Sequence, residues 1–212
     1  MIRAVAFDVM DTLLTDPFRE ALYAATGRTI DEIIARRDPA VHPAFERGEL
    51  DERDYWRAFD AAGIPADRER FHRVREERTQ WVAGMRELLD ELDGQVMRAA
   101  ATNYPVWIDE LAAGPLAGRI EVLVASCHVG ARKPDPDFYA AVLARLQLPA
   151  EQVLFVDDRE ANVAGAQAAG LTAHRFTHVD ALRSWLVGQR VLPDQPDEVA
   201  PAVRSGQRPQ RN

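Results

Sequence analysis

Four short apolar runs, each closed at once by polar residues, constrain this chain more than any other feature. They are Ile2–Phe7, Met97–Ala101, Ile120–Ala125 and Val153–Val156, and a weaker run, Leu171–Phe176, extends the set. Runs this short, bounded by polar or turn residues, read as buried strands. Between the later runs lie helical patterns over Val106–Ala113, Asp137–Leu146 and Glu160–Ala169, the last followed by the helix-ending Gly170. Parallel strands need crossovers of about this length. The alternation therefore predicts an α/β fold with a doubly wound, Rossmann-like parallel sheet.

One interval breaks the alternation. From Asp16 to Glu91 there is no convincing strand, and amphipathic stretches at Phe18–Thr26, Asp51–Ala62 and Arg68–Val82 are separated by Gly and Pro punctuation. The expected organisation is a core made of residues 1–15 and 92–190 with an all-helical insertion at 16–91. From Val191 to Asn212 the chain is rich in Pro, Gln, Asp and Arg with few large apolar residues. Such a composition cannot offset its ordering entropy, which predicts a disordered tail.

Composition narrows the partners. A net charge of −8 over 212 residues argues against nucleic acid and anionic membranes, which select basic surfaces. It leaves an anionic small molecule open, because such a site needs only local positive charge. The single cysteine, Cys127, precludes an intramolecular disulfide and, ending an apolar run, reads as a small hydrophobe. No stretch approaches the length of a membrane span, and the N-terminus enters a strand-like run directly, so a cytoplasmic protein is expected. Oligomeric state is not encoded in these patterns.

In an open α/β sheet, ligands sit beyond the carboxyl ends of the strands. The first run delivers Asp8, Met10, Asp11 and Thr12 there, and the second delivers Thr102 and Asn103. Arg132-Lys133-Pro134 follows the third, and Asp157-Asp158 follows the fourth. A lone Asp after a strand often caps a helix. Carboxylates gathered at neighbouring strand ends repel one another, and a hard divalent cation is the usual remedy.

These residues resemble the haloacid dehalogenase superfamily, from Ile2 to about Leu186. Phe7-Asp8-Val9-Met10-Asp11-Thr12-Leu13-Leu14 is similar to its first motif, F-D-x-D-G-T-L, and Ala101-Thr102-Asn103-Tyr104 to its second. Gly130-Ala131-Arg132-Lys133-Pro134 with Tyr139 resembles the third. Val156-Asp157-Asp158 with Asn162, Gly165 and Gly170 resembles the fourth, acidic motif. The helical insertion lies where that family carries a cap.

The resemblance implies a Mg²⁺-dependent phosphohydrolase acting on a small phosphorylated metabolite. Asp8 is the implied nucleophile, forming an aspartyl-phosphate. Thr102, Asn103 and Lys133 would bind the phosphoryl group and stabilise its developing charge. Mg²⁺ would be held by Asp8, Asp157, Asp158 and the backbone carbonyl of Met10.

The pattern departs from the family at one position. Met10 stands where a second Asp usually transfers protons, and the acidic residue has moved to Asp11, where Gly is usual. Losing a general acid–base costs roughly 10²–10⁴ in rate. Three readings follow: a phosphohydrolase in which Asp11, a cap residue or the substrate replaces the donor; a catalytically impaired member that binds a phospho-ligand or partner; and a haloacid dehalogenase. The acidic pair Asp157-Asp158 speaks against the last.

Substrate choice would fall to the insertion. Phe45-Glu46-Arg47-Gly48-Glu49-Leu50 with Tyr55 and Trp56 resembles the family's helical caps. Arg36, Arg37 and Arg47 are candidates for a second anionic group, each weighed against a solvent-facing role. Trp56, Trp81 and Trp107 read as packing residues. Asp16-Pro17-Phe18 stands where a hinge would set Phe18 over the crevice.

Overall fold

Each of the four apolar runs forms a parallel strand, and the weaker fifth joins them at the edge of the sheet. The computed structural model describes residues 1–194. β1 (Ala4–Phe7) is followed by α1 (Phe18–Thr26), α2 (Ile30–Ile34), α3 (Val41–Glu46), α4 (Glu52–Ala61), α5 (Arg68–Arg78) and α6 (Met85–Leu92). The chain continues through β2 (Met97–Thr102), α7 (Ile108–Ala113), β3 (Val122–Ala125), α8 (Ser126–Val129) and α9 (Pro136–Leu146). β4 (Val153–Asp157), α10 (Glu160–Ala168), β5 (Thr172–Arg175) and α11 (Val179–Gly188) complete it.

The strand order is β3-β2-β1-β4-β5. The path runs outward from β1 to β3, then returns to the other side of β1 with β4. The crevice between β1 and β4 is therefore the point where strand order reverses, the usual ligand position in such sheets. Register fixes what meets there. Phe7 pairs with Ala100 on one side and Val156 on the other. One residue further on, Asp8 emerges beside Ala101 and Asp157.

Alternation along the strands divides the core into two faces. Val5, Phe7, Ala100, Leu154 and Val156 join one buried cluster, which includes residues of α6 and α11. Ala4, Ala6, Ala99, Ala101 and Phe155 join the other, against Phe138, Tyr139 and Val142 of α9 and Ala166 of α10. Small alanines on β2 let the helices approach closely. The periodicity read above omitted α6, although Met85, Leu88, Leu89 and Leu92 carry an i, i+3, i+4, i+7 stripe that is wholly buried.

The helical segment between β1 and α6 is bound together by aromatic rings. Phe45 stacks on Tyr55 at 4.3 Å between ring centres, and Trp56 meets Phe71 edge-on at 5.0 Å. Trp107, at the start of α7, closes this cluster from the sheet side, 5.0 Å from Phe45 and 4.9 Å from Phe71. The helix expected over Arg68–Val82 stops at Arg78, because Thr79 turns extended and the returning chain pairs with the outgoing one. Thr15 N–H donates to the Gln80 carbonyl at 2.8 Å and Val82 N–H to the Leu13 carbonyl at 3.0 Å. Two antiparallel connecting segments, bridged at Leu14 and Trp81, thus join the helical segment to the sheet.

The tail expected from Val191 lies outside the described residues beyond 194. At its start the expectation is corrected: Val191 and Leu192 are buried in the core, and Val191 N–H bonds to the Leu186 carbonyl at 3.0 Å. Two apolar side chains next to α11 suffice to hold it there.

Candidate active site

β1 sets the position of Asp8, whose N–H donates to the Val156 carbonyl at 2.8 Å. Its carboxylate meets Lys133, from the loop after α8, with Nζ 2.6 Å from Asp8 Oδ1. The same ammonium donates to Asp157 Oδ2 at 2.6 Å and to the Ala101 carbonyl at 2.8 Å. One cation therefore ties together the ends of β1, β2 and β4, and its three N–H donors are all engaged.

The neighbours of this triad fix its orientation. Asp157 Oδ1 accepts from the Arg159 N–H and from Asn162 Nδ2, each at 2.9 Å. Tyr139 donates to the Asn162 carbonyl at 2.6 Å. α10 approaches the lysine loop so closely that a Cβ at Gly165 would lie 2.9 Å from Pro134 and from the Tyr139 hydroxyl. Asn103, expected at the phosphoryl group, lines the cavity and also braces the lysine loop. Its amide donates to the Lys133 carbonyl at 2.9 Å and accepts from the Lys133 N–H at 2.7 Å. That side chain thereby holds the lysine loop in place.

Charge at this site does not balance. Oxygens of Asp8, Asp157 and Asp158 lie within 4.8 Å of one another. Burial pushes the Asp8 carboxyl up to about 7, with Lys133 opposing the rise and Asp157 adding to it. Burial and Asp157 also raise Asp158. For Lys133, burial pulls downward, but Asp8 and Asp157 outweigh it and hold the ammonium above its ordinary value. One cation faces three carboxylates, all hard oxygen donors, and this set fits a divalent metal ion. Because both Asp157 oxygens already have partners, Asp8 and Asp158 are the carboxylates with the most capacity left for metal.

Above the cluster lies a cavity of about 300 Å³ whose lining includes Asp8, Met10, Thr102, Lys133, Phe18 and Trp107. Thr102 is buried, and its hydroxyl has no hydrogen-bond partner among the described residues. An unpaired buried hydroxyl facing a cavity beside a carboxylate is the arrangement that an oxyanion ligand would complete. Phe18 and Trp107 both lie on the wall. Trp107, read as packing alone, also faces the cavity, whereas Trp56 is buried in the aromatic cluster.

The expected stand-in donor Asp11 occupies a left-handed backbone position, φ 57°, which Asp tolerates better than most residues and which explains Gly as an alternative there. It is exposed, and Oδ1 accepts from the Asp16 N–H at 3.0 Å. Asp16 also lines the cavity, half-buried. Burial, with a contribution from Asp11, raises its carboxyl, while the Phe18 N–H lowers it. The sequence pattern places Asp16 only within a hinge. Its tighter hold on a proton depends on the folded surroundings and leaves no local signal. Cys127 is half-buried, and burial pushes its thiol up to about 11, so it remains protonated.

Of the arginines singled out, Arg36 is exposed and Arg47 Nη2 bonds to Glu49 at 2.9 Å. Arg37 is buried on the cavity wall. Arg132, beside the lysine, reaches Glu46 of α3 at 2.6 Å.

Known proteins place this geometry in context. A family profile described as haloacid dehalogenase-like hydrolase matches residues 2–170. A chloroplast flavin mononucleotide hydrolase of Arabidopsis thaliana is 34% identical over 181 residues, 83% of this chain and 73% of the relative. The fold is shared with a HAD-like hydrolase of Porphyromonas gingivalis at TM-score 0.72 and 22% identity, covering 88% of this chain and 98% of the other. It is also shared with a HAD family enzyme of Bacteroides thetaiotaomicron solved with magnesium and inorganic phosphate. That match has a TM-score of 0.70 and 16% identity, covering 84% of this chain and 96% of the other. Among the described residues, no helix is long and apolar enough to cross a membrane.

Proposed function

The chain belongs to the haloacid dehalogenase-like hydrolases, and from that premise we propose a Mg²⁺-dependent phosphohydrolase working through an aspartyl-phosphate on Asp8. The observation that carries this reading is the cluster of Asp8, Asp157 and Asp158 around Lys133, an excess of carboxylate that a metal ion would offset. A dehalogenase working without metal has no use for it. The substrate class is a small phosphate monoester, and the Arabidopsis relative makes flavin mononucleotide the first candidate.

Asp8, Asp158 and the Met10 carbonyl would hold the ion, which supplies positive charge beside the phosphoryl oxygens. An Asp8 carboxylate oxygen attacks phosphorus as the bond to the leaving oxygen breaks. The Thr102 hydroxyl donates to a phosphoryl oxygen. Lys133 favours the anionic form of Asp8 against the effect of burial and offsets charge that builds in the transition state. Asp16 gives its proton to the leaving oxygen, then takes one from the water that attacks phosphorus, releasing phosphate and restoring Asp8. Both residues line the cavity, and the half-buried Asp16 carboxyl, raised by burial, suits this role better than the exposed Asp11. The helical segment, residues 16–91, acts as the cap over the site, and cytoplasmic residence is retained on the single cysteine.

Met10 favours a second reading, in which the missing carboxylate leaves a slow protein that holds a phospho-ligand. The purified protein is to be incubated with Mg²⁺ and flavin mononucleotide, phenyl phosphate or acetyl phosphate, beside Asp8→Asn. Phosphate release that disappears in Asp8→Asn is expected; release that survives it would sink the nucleophile assignment. A stable gain of one phosphoryl mass without turnover would favour the slow protein. Halide released from 2-haloacids without metal would favour a dehalogenase.

A further inference from the structure

Arg37 stands out among the buried charges. It follows α2, is 6% exposed, and is held by its N–H bond to the Ile33 carbonyl at 2.9 Å. The guanidinium carbon lies 4.5 Å from the Phe59 ring centre and 5.1 Å from that of Tyr55. Nε and Nη1 have no hydrogen-bond partner among the described residues. The other buried arginines are paired. Arg98 meets Glu121 at 2.8 Å and Asp93 at 2.6 Å, and Arg75 meets Glu110.

A guanidinium cannot escape burial by losing its proton. Aromatic faces compensate the flat side of the cation but leave its N–H edge unsatisfied. That edge demands an acceptor in its plane, and carboxylates or paired carbonyls fit it best. The Tyr55 hydroxyl is close enough to feel the guanidinium but makes no well-formed hydrogen bond with it, and Arg37 lines the same cavity as Asp8 and Thr102. Between the helical side and the strand ends the wall carries Phe18, His42 and Trp107. The ring centres of Phe18 and His42 are 4.8 Å apart.

We propose that Arg37 is a specificity residue that binds an acceptor group on the substrate's leaving group. The substrate is then a phosphate monoester with a flat apolar body that carries a carboxylate or paired carbonyls. This deepens the phosphohydrolase reading and rests on it for the position of the phosphoryl end.

The test compares kcat/KM for flavin mononucleotide, which offers ring carbonyls, and 4-carboxyphenyl phosphate, which offers a carboxylate, each relative to phenyl phosphate. Arg37→Met is expected to lower at least one ratio tenfold or more, chiefly through KM. Arg37→Lys restores it only in part, since a point charge cannot copy the fork. The ratio that falls identifies the acceptor. Ratios that stay within threefold for both substrates overturn the proposal.

A second readout does not depend on turnover. Arg37→Met is expected to raise the Tm of the ligand-free protein, because an unpaired buried charge is removed. Flavin mononucleotide or 4-carboxyphenyl phosphate, with Mg²⁺ on an Asp8→Asn background, is expected to raise Tm, and that shift is lost on adding Arg37→Met. A lowered Tm of the ligand-free variant, or a retained ligand shift, assigns Arg37 to packing and overturns the proposal. If no phosphate ester is hydrolysed, the phosphohydrolase reading fails alone, and these Tm measurements still decide Arg37.

Discussion

Lys133 Nζ donates to Asp8 Oδ1 at 2.6 Å across 125 residues of chain, inside a site where the lysine is almost wholly buried. Removing one partner of such a pair leaves the other as an uncompensated buried charge, a loss of about 3–5 kcal/mol. Lys133→Met should therefore destabilise the protein by that amount in urea unfolding. Mg²⁺ should return part of the loss, because a cation offsets the same carboxylates.

Thr102 offers the opposite case. Its hydroxyl has no protein partner to lose, so Thr102→Val should leave unfolding free energy within about 0.5 kcal/mol of wild type. Phosphate release should nevertheless fall roughly 10²–10³-fold, the usual effect of deleting one donor to a developing oxyanion. A parallel fall in stability and activity would contradict this assignment.

Metal binding should register as stability. At a Mg²⁺ concentration about 100 times Kd, linkage adds about 2.7 kcal/mol, and EDTA should remove it. Asp158→Asn should shrink the Mg²⁺-induced rise in Tm more than Asp157→Asn does, since Asp157 is already bonded to Lys133, Arg159 and Asn162. The Tm of each variant with and without metal checks the order.

Asp16 carries a pH signature. Burial raises its carboxyl above the ordinary 3.8, so the folded state holds the proton more tightly than the unfolded chain. The stability it contributes is present below 3.8 and is lost as pH rises through that value to the raised one. Asp16→Asn should gain on wild type across that window and hold the gain above it. In the same variant, phosphate release from an alkyl ester should fall by roughly 10²–10⁴-fold. Release from acetyl phosphate, whose leaving group needs no proton, should fall less.

Gly165 tests the packing behind the lysine loop. An added methyl would meet Pro134 and Tyr139 at 2.9 Å, so Gly165→Ala should cost about 1–3 kcal/mol. Activity should fall as well, because the displaced Pro134 adjoins Lys133. Gly188→Ala, with nothing within 4 Å, should be neutral or stabilising by up to about 1 kcal/mol in the same assay.

Much of this was legible in the chain itself. The apolar runs and their polar ends required a parallel sheet, because a strand covered by crossover helices can expose side chains only at its tips. Local chemistry thereby nominated Asp8, Thr102, Lys133, Asp157 and Asp158, and the substitution at Met10 needed no coordinates. Tertiary structure decided how those groups are shared out. Asn103 binds the lysine loop, Asp157 is committed to Lys133 and Asn162, and Thr102 is left unpaired. It also separated Arg37 from Arg36, neighbours that one step of backbone turns to opposite environments. Asp16 acquired its tighter hold on a proton, and Arg37 its want of a well-placed acceptor, from burial among residues distant in sequence. Burial and pairing are properties of the folded neighbourhood and are absent from any local pattern of residues.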